Sequence, residues 1–327
     1  MKEEEKSLSF KTYHNGTVNN TEFSYNGMKL ATCGNDGKIN IFSTEKIFSN
    51  QNNISPDVEL IKNCHNQPIY DLSFSHPSYG TYLASCGNDK KIIIWKEKSI
   101  NRYENIFEYK HNSPVKCCKF APYQYGIVII CGTNNGSISI HELQKNTQKW
   151  NSYLMENVHL NGINGIDWAP ATPPIDLEDE DNDDDNDLNM EEEIKNIEPM
   201  KFISCGNDFK INIYKSDKNI IDSFVKEKSI DLGENNIPRD IAFLHFIGYT
   251  ELTFACGLDN GKCLIYKKYE GDRKNTFTIN VGQKILKICW SICGTYLGVS
   301  TKKINENDNN PVKFYRQNMD ETWIEIK

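Results

Sequence analysis

No aliphatic run in this 327-residue chain is longer than the four residues at 127–130. A membrane-crossing helix needs about 20 apolar residues, so the sequence reads as non-spanning. The opening MKEEEKSLSF puts acidic charge where a secretory signal needs an apolar stretch, and the expectation is a cytosolic or nuclear protein. There is no CxxC pair among the eleven cysteines. Instead Cys33, Cys86, Cys131, Cys205 and Cys256 recur at one repeat position inside apolar segments, where a thiol behaves as a small hydrophobe, and they read as reduced core residues.

A dense basic stripe is missing too. Of 45 acidic residues, 13 fall within 176–198 beside a single lysine, which leaves 36 basic against 32 acidic residues elsewhere. Phosphate neutralisation dominates nucleic-acid binding, so a near-neutral body argues against a direct nucleic-acid ligand. Hydrolase signatures fail: no G-x-S-x-G or H-E-x-x-H occurs, and His141-Glu142 is followed by Lys145 where a second histidine should stand. Gly257 and Gly261-Lys262 are one residue short of a phosphate loop, with Cys263 where Ser or Thr would meet magnesium. Asp181, Asp183, Asp185 and Glu192 fit positions 1, 3, 5 and 12 of a calcium loop, but position 6 is Asn186 instead of the required glycine. The segment 176–198 reads as a disordered acidic insertion. No catalytic residue, metal ligand, cofactor or small-molecule substrate is expected.

What is present is a repeat. LATCGNDGKINIF from Leu30, LASCGNDKKIIIW from Leu83 and FISCGNDFKINIY from Phe202 are copies of one pattern. VIICGTNNGSISIH from Val128 and TFACGLDNGKCLIY from Thr253 read as copies with one extra turn residue, and LGVSTKK from Leu297 with PVKFY from Pro311 as a degenerate sixth. Markers at Cys33, Cys86, Cys131, Cys205, Cys256 and Ser300 are spaced by 53, 45, 74, 51 and 44 residues, and removing the acidic stretch brings 74 to 51. That period is the one found in WD propeller blades. Each copy is an antiparallel hairpin across a Gly/Asn/Asp turn, preceded by one more strand such as IYDLSF, VKCCKF or INGIDW. The fold class is therefore all-β: a six-bladed WD-repeat β-propeller, a single domain over 1–327, with 176–198 inserted in blade 4. Four of the seven histidines, 14, 65, 111 and 159, stand four residues ahead of a predicted strand, so repeat architecture accounts for them. His65, Ser85, Asp89 and Trp95 occupy the places of a hydrogen-bonded structural tetrad. His14, Thr32, Asp36 and Phe42 repeat that set in blade 1, and His159, Ser204, Asp208 and Tyr214 in blade 4.

Fold alone does not give function. HPSYGTYLASCGNDKKIIIWKE from His76, FAPYQYGIVIICGTNNGSISI from Phe120 and NGINGIDWAPA from Asn161 closely resemble the small coat-propeller family called Sec thirteen, over about residues 17 to 323. The resemblance implies an open six-bladed propeller whose seventh blade comes from a larger α-solenoid partner, joining between blades 1 and 6. It implies a non-catalytic scaffold of the COPII vesicle outer coat in ER-to-Golgi transport and of the nuclear pore Y-complex. Its partners would be the outer-coat rod subunit and a Y-complex nucleoporin, with no direct insertion into the membrane. The places implied are the cytoplasmic face of the ER membrane, COPII vesicles and the nuclear pore. Partner contact is expected at Leu8, Phe10 and Thr12, which alternate in SLSFKTY as an edge strand would, and at Phe314 and Tyr315 of blade 6. Two alternatives are a Seh-one-type nucleoporin or nutrient-signalling scaffold, and a WD adaptor such as a ubiquitin-ligase substrate receptor. The sequence departs from the family in the acidic insertion, in the Asn-rich turn 304–311 and in RDIAFLHF.

Overall fold

Alternation of Ile, Val, Leu and Cys with small polar residues builds strands, and turns rich in Gly, Asn and Asp reverse them. The computed structural model describes residues 9–49, 55, 64–171, 199–217, 220–245, 252–267, 276–291, 293–302, 312–318 and 322–326. Within these residues the chain is all-β, a six-bladed β-propeller: 23 strands form six antiparallel sheets, with one five-residue helix. The acidic insertion 176–198 lies outside the described residues.

Backbone contacts gather into two compact units, Met1–Tyr123 with Ile127–Leu154, and Gln124–Gly126 with Met155–Lys327. The first unit holds blade 1, with β1 (Val18–Phe23), β2 (Lys29–Gly34) and β3 (Ile39–Ser43), and then helix α1 (Thr44–Phe48). Blade 2 has β4 (Ile69–Phe74), β5 (Tyr82–Gly87), β6 (Lys91–Ser99) and β7 (Arg102–Lys110). Blade 3 has β8 (Val115–Phe120), β9 (Val128–Thr133), β10 (Ile138–Leu143) and β11 (Trp150–Met155). The second unit holds blade 4, with β12 (Ile163–Trp168), β13 (Lys201–Gly206), β14 (Lys210–Lys215) and β15 (Val225–Asp231). Blade 5 has β16 (Pro238–Phe243), β17 (Thr253–Leu258), β18 (Lys262–Lys267) and β19 (Thr276–Asn280). Blade 6 has β20 (Ile285–Trp290), β21 (Tyr296–Thr301), β22 (Val312–Gln317) and β23 (Trp323–Ile326). Each sheet pairs its strands in chain order.

Every first strand carries a register shift at its second residue: Asn19, Tyr70, Lys116, Asn164, Arg239 and Leu286. A bulge re-aims a side chain, and here it aims four of them at the turn between the second and third strands. Asn19 donates to Asn35, Tyr70 to Asn88, Asn164 to Asn207 and Arg239 to Asp259, at 2.7–2.9 Å. The hairpin turn of each of these blades is thereby tied to its innermost strand.

Register corrects one reading of the repeat. Cys33 pairs with Ile39, Cys86 with Ile92 and Cys205 with Ile211, but in blades 3 and 5 it is Gly132 and Gly257 that pair with Ile138 and Cys263. The turns are therefore equally long, and the marker Cys-Gly is slipped by one residue. A one-residue slip moves a side chain to the other face of a strand. Cys131 and Cys256 accordingly face back toward the preceding blade, whereas Cys86 and Cys205 face forward, and the thiols meet inside shared apolar clusters. Gly257 at the slipped position sits close against blade 6: a Cβ there would lie 2.5 Å from Cγ2 of Ile285.

Candidate partner-binding faces

Three histidine-centred networks set the blades. In blade 2, His65 Nδ1 lies 2.9 Å from both carboxylate oxygens of Asp89 and its Nε2 is 2.8 Å from Ser85 Oγ. Trp95 Nε1, which can only donate, gives its proton to the same Oγ at 3.0 Å. The Ser85 hydroxyl proton then goes to Nε2, and the imidazole keeps its proton on Nδ1 toward Asp89. Burial raises the Asp89 carboxyl pKa, but hydrogen bonds from His65 and two backbone N–H groups outweigh it and hold the group below its ordinary value. Blade 1 repeats the pattern with His14, Asp36 and Thr32, and blade 4 with His159, Asp208 and Ser204, at 2.7–2.9 Å. Phe42 and Tyr214 take the tryptophan place by packing.

Blade 3 is wired differently. Its slipped register puts Cys131 where the hydroxyl stood and His141 where Trp95 stood. Ser139 Oγ contacts His141 Nε2 at 3.0 Å and His111 Nε2 at 3.4 Å, and His141 Nδ1 meets Ser152 Oγ at 2.8 Å. Burial pushes His111 down to about 4 and His141, which also faces the charge of His111, down to about 3. These imidazoles are buried structural groups with no access to a substrate. Among the described residues no group of three or more His, Cys, Asp or Glu could hold a metal ion.

Within each unit, side-chain hydrogen bonds run from one inner strand to the next and show which way its residues point. In the first unit Asn19 Nδ2 donates to the Ile69 carbonyl at 2.7 Å, Asp71 accepts from Asn20 and from the Cys118 N–H, and Ser73 Oγ accepts the Phe120 N–H. In the second unit Asn164 donates to the Pro238 carbonyl, Asp167 accepts the Phe243 N–H and Asp240 the Ile288 N–H. Third and fifth residues of a first strand thus look forward to the next blade, and fourth and sixth residues look back.

Two blade faces break this pattern of coverage. The backward face of blade 1 presents Thr21 and Phe23, the latter 55% exposed. Their counterparts in the fourth position, Leu72, Cys118, Ile166, Ile241 and Ile288, are all buried, as are Phe74, Trp168 and Phe243 in the sixth. On blade 6, Val312 and Phe314 hold the third-strand places that isoleucines at 39 and 41, 92 and 94, 138 and 140, and 211 and 213 fill elsewhere, fully buried. Phe314 is 52% exposed. Ile326 pairs with Phe314 and Ile324 with Arg316, so both isoleucines lie on the same face, and both are exposed.

The residues expected at a partner surface divide accordingly. Leu8 lies outside the described residues. Residues 9–13 pair with no strand, against the edge strand expected from their alternation. Phe10 instead sets its ring edge against Phe42 at 5.2 Å and helps cover the outer part of the backward face, while the Thr12 carbonyl accepts from Asn40 at 2.6 Å. Phe314 is on the open face. Tyr315 points the other way, 3% exposed within the core shared by blades 5 and 6, as strand alternation next to Phe314 requires. Thr21, Phe23, Val312, Ile324 and Ile326 were missed, because exposure became legible only once the blades could be superposed by register.

The family described as "WD domain, G-beta repeat" matches residues 5–43 and 58–96. "Protein transport protein SEC13-2" of Candida glabrata is 30% identical, over 96% of this chain and 97% of its own length. "Protein SEC13 homolog" of Drosophila melanogaster is 27% identical, covering 96% and 82%, and "Protein transport protein sec13" of Emericella nidulans is 23% identical, covering 96% and 95%.

Proposed function

The chain belongs to the SEC13 family, and from that premise we propose that it is a non-catalytic scaffold of protein transport that binds a larger α-solenoid subunit through its terminal blades. The observation that carries this reading is the pair of open faces, Thr21 and Phe23 on blade 1 and Val312, Phe314, Ile324 and Ile326 on blade 6. Burying one such apolar side chain stabilises by about 1.5–3 kcal/mol, so leaving several in water favours a partner that covers them. The fitting occupant is a blade-like set of strands, whose side chains would interdigitate with these faces as neighbouring blades do with each other. Its assembly is the outer coat of COPII vesicles at the cytoplasmic face of the endoplasmic reticulum, and the same faces serve the nuclear pore Y-complex through a solenoid nucleoporin. The acidic insertion is not needed for either.

The test is affinity capture of the intact chain from cytosolic extract of its own organism, with a stringent salt wash and mass spectrometry. The expected result is recovery of large α-solenoid coat and nucleoporin subunits, lost from Phe23→Asp and Phe314→Asp variants that melt as the parent does. Recovery of ligase components, or of no stable partner, would overturn the reading. A solenoid subunit's blade segment should also raise Tm, as any ligand of the native state does.

A further inference from the structure

Within the first unit, a cavity of about 220 Å³ opens between blades 2 and 3, lined by Tyr79, Tyr82, Lys96, Ile127, Leu143, Lys145 and Gln148. No carboxylate lines it. Tyr82 and Lys96 are paired across β5 and β6, which sets the Lys96 ammonium over the Tyr82 ring at 5.1 Å, and Lys145 stands over the Tyr79 ring at the same distance. Neither lysine has a carboxylate partner among the described residues. The two phenol hydroxyls also lack a protein partner there, although the Tyr82 side chain belongs to a residue only 2% exposed. The far wall is held by its own bonds: the Leu143 N–H donates to the Ile127 carbonyl at 2.9 Å, and the Gln148 side chain donates to the Lys145 carbonyl at 2.9 Å.

The polar lining is thus dominated by donors, two ammonium groups and two phenols, set against the apolar side chains of Ile127 and Leu143. Ammonium groups over aromatic faces are attracted to the rings but keep their net charge, so they still favour an anion that enters. Charge-assisted bonds to phosphate oxygens are the strong kind, and the apolar wall suits an aryl or alkyl stem. We infer that this cavity binds a phosphate monoester on an aromatic stem, carried by a phosphotyrosine side chain or by a small aryl phosphate. The inference is independent of the transport reading, because the terminal faces on blades 1 and 6 take no part in it.

The experiment is calorimetric titration of the intact chain with phenyl phosphate, inorganic phosphate, and a phosphotyrosyl heptapeptide with its unphosphorylated twin. Phenyl phosphate should saturate with a Kd below about 1 mM, the range of weak but specific binding. Lys96→Gln and Lys145→Gln should each weaken it about tenfold, near the value of one charge-assisted hydrogen bond, with Tm unchanged. A phosphopeptide binding tighter than phenyl phosphate assigns the site to a modified partner side chain, and equal affinity assigns it to a small phosphoester. Binding that both glutamine variants retain, inorganic phosphate binding as well as phenyl phosphate, or no saturation by either phosphoester would each overturn the proposal.

Discussion

Asp240 and Ile288 are 48 residues apart in sequence, yet the Asp240 carboxylate accepts the Ile288 backbone N–H at 2.9 Å, joining blade 5 to blade 6. Asp71 and Cys118 make the same bond at the same register between blades 2 and 3, at 3.0 Å. A buried N–H that loses its acceptor bears the full desolvation penalty, so Asp240→Ala should destabilise the chain by about 2–3 kcal/mol in urea unfolding at pH 7. Asp240→Asn keeps an acceptor oxygen and should lose less. An alanine variant as stable as the parent would remove this bond from the account of how blades 5 and 6 hold together.

Ser85 bears a heavier load than its size suggests. Its oxygen serves both His65 Nε2 and Trp95 Nε1, and the residue is wholly buried. Ser85→Ala removes both contacts at once and is expected to cost about 2–4 kcal/mol, whereas Ser85→Thr should keep them at the cost of an extra methyl. Trp95→Phe removes one bond only and should cost about 1–2 kcal/mol, leaving His65 and Ser85 paired. Thermal unfolding of the three variants side by side checks the order.

How far the sequence disclosed this molecule depends on which interactions repeat. The first-strand starts at Val18, Ile69, Val115 and Ile163, four residues beyond a histidine, could be read because the same local chemistry recurs. His65, Ser85, Asp89 and Trp95 could be placed for the same reason. The slipped Cys-Gly of blades 3 and 5 could not, since identical letters occupy different registers and only strand pairing distinguishes an added turn residue from a shifted strand. Nor could the ladder of Asp71, Asp167 and Asp240, whose partners are backbone N–H groups that sequence does not display. At the terminal faces, Phe314 and Tyr315 are adjacent letters with opposite fates, and the side each takes follows from pairing with Gly298 and Leu297.

Blade 3 should make the chain acid-sensitive in a definite window. His111 and His141 have folded pKa values of about 4 and about 3, below the ordinary 6.5, because burial disfavours the charged form. The unfolded chain therefore binds more protons, and stability complete above pH 6.5 falls as pH drops from 6.5 toward 4, by up to about 1.4 kcal/mol per pH unit for each histidine. Asp36, Asp89 and Asp208 are lowered from 3.8 despite burial, by their histidine and backbone hydrogen bonds, so their contribution is lost only below that value. Urea midpoints at pH 7, 5.5 and 4.5 should fall more steeply for the parent than for His111→Gln. Identical slopes would mean that His111 gains its proton in the folded state.

Gly257 tests whether the slipped register is a packing requirement. A Cβ at this position would lie 2.5 Å from Ile285 Cγ2 and 3.2 Å from Ile288 Cγ2, both branched methyls in a filled core where neither can swing aside. Gly257→Ala should accordingly destabilise by about 1–3 kcal/mol, the range for overpacking. Ile285→Ala alone opens a cavity and should cost about 2–5 kcal/mol. Combined, the two changes place the new methyl in the vacated space, and the double variant should be more stable than the sum of the single losses predicts, by about 1 kcal/mol or more. Strict additivity would mean that the backbone of β17 yields to the added carbon. The glycine would then be a consequence of the shifted Cys-Gly and not its cause.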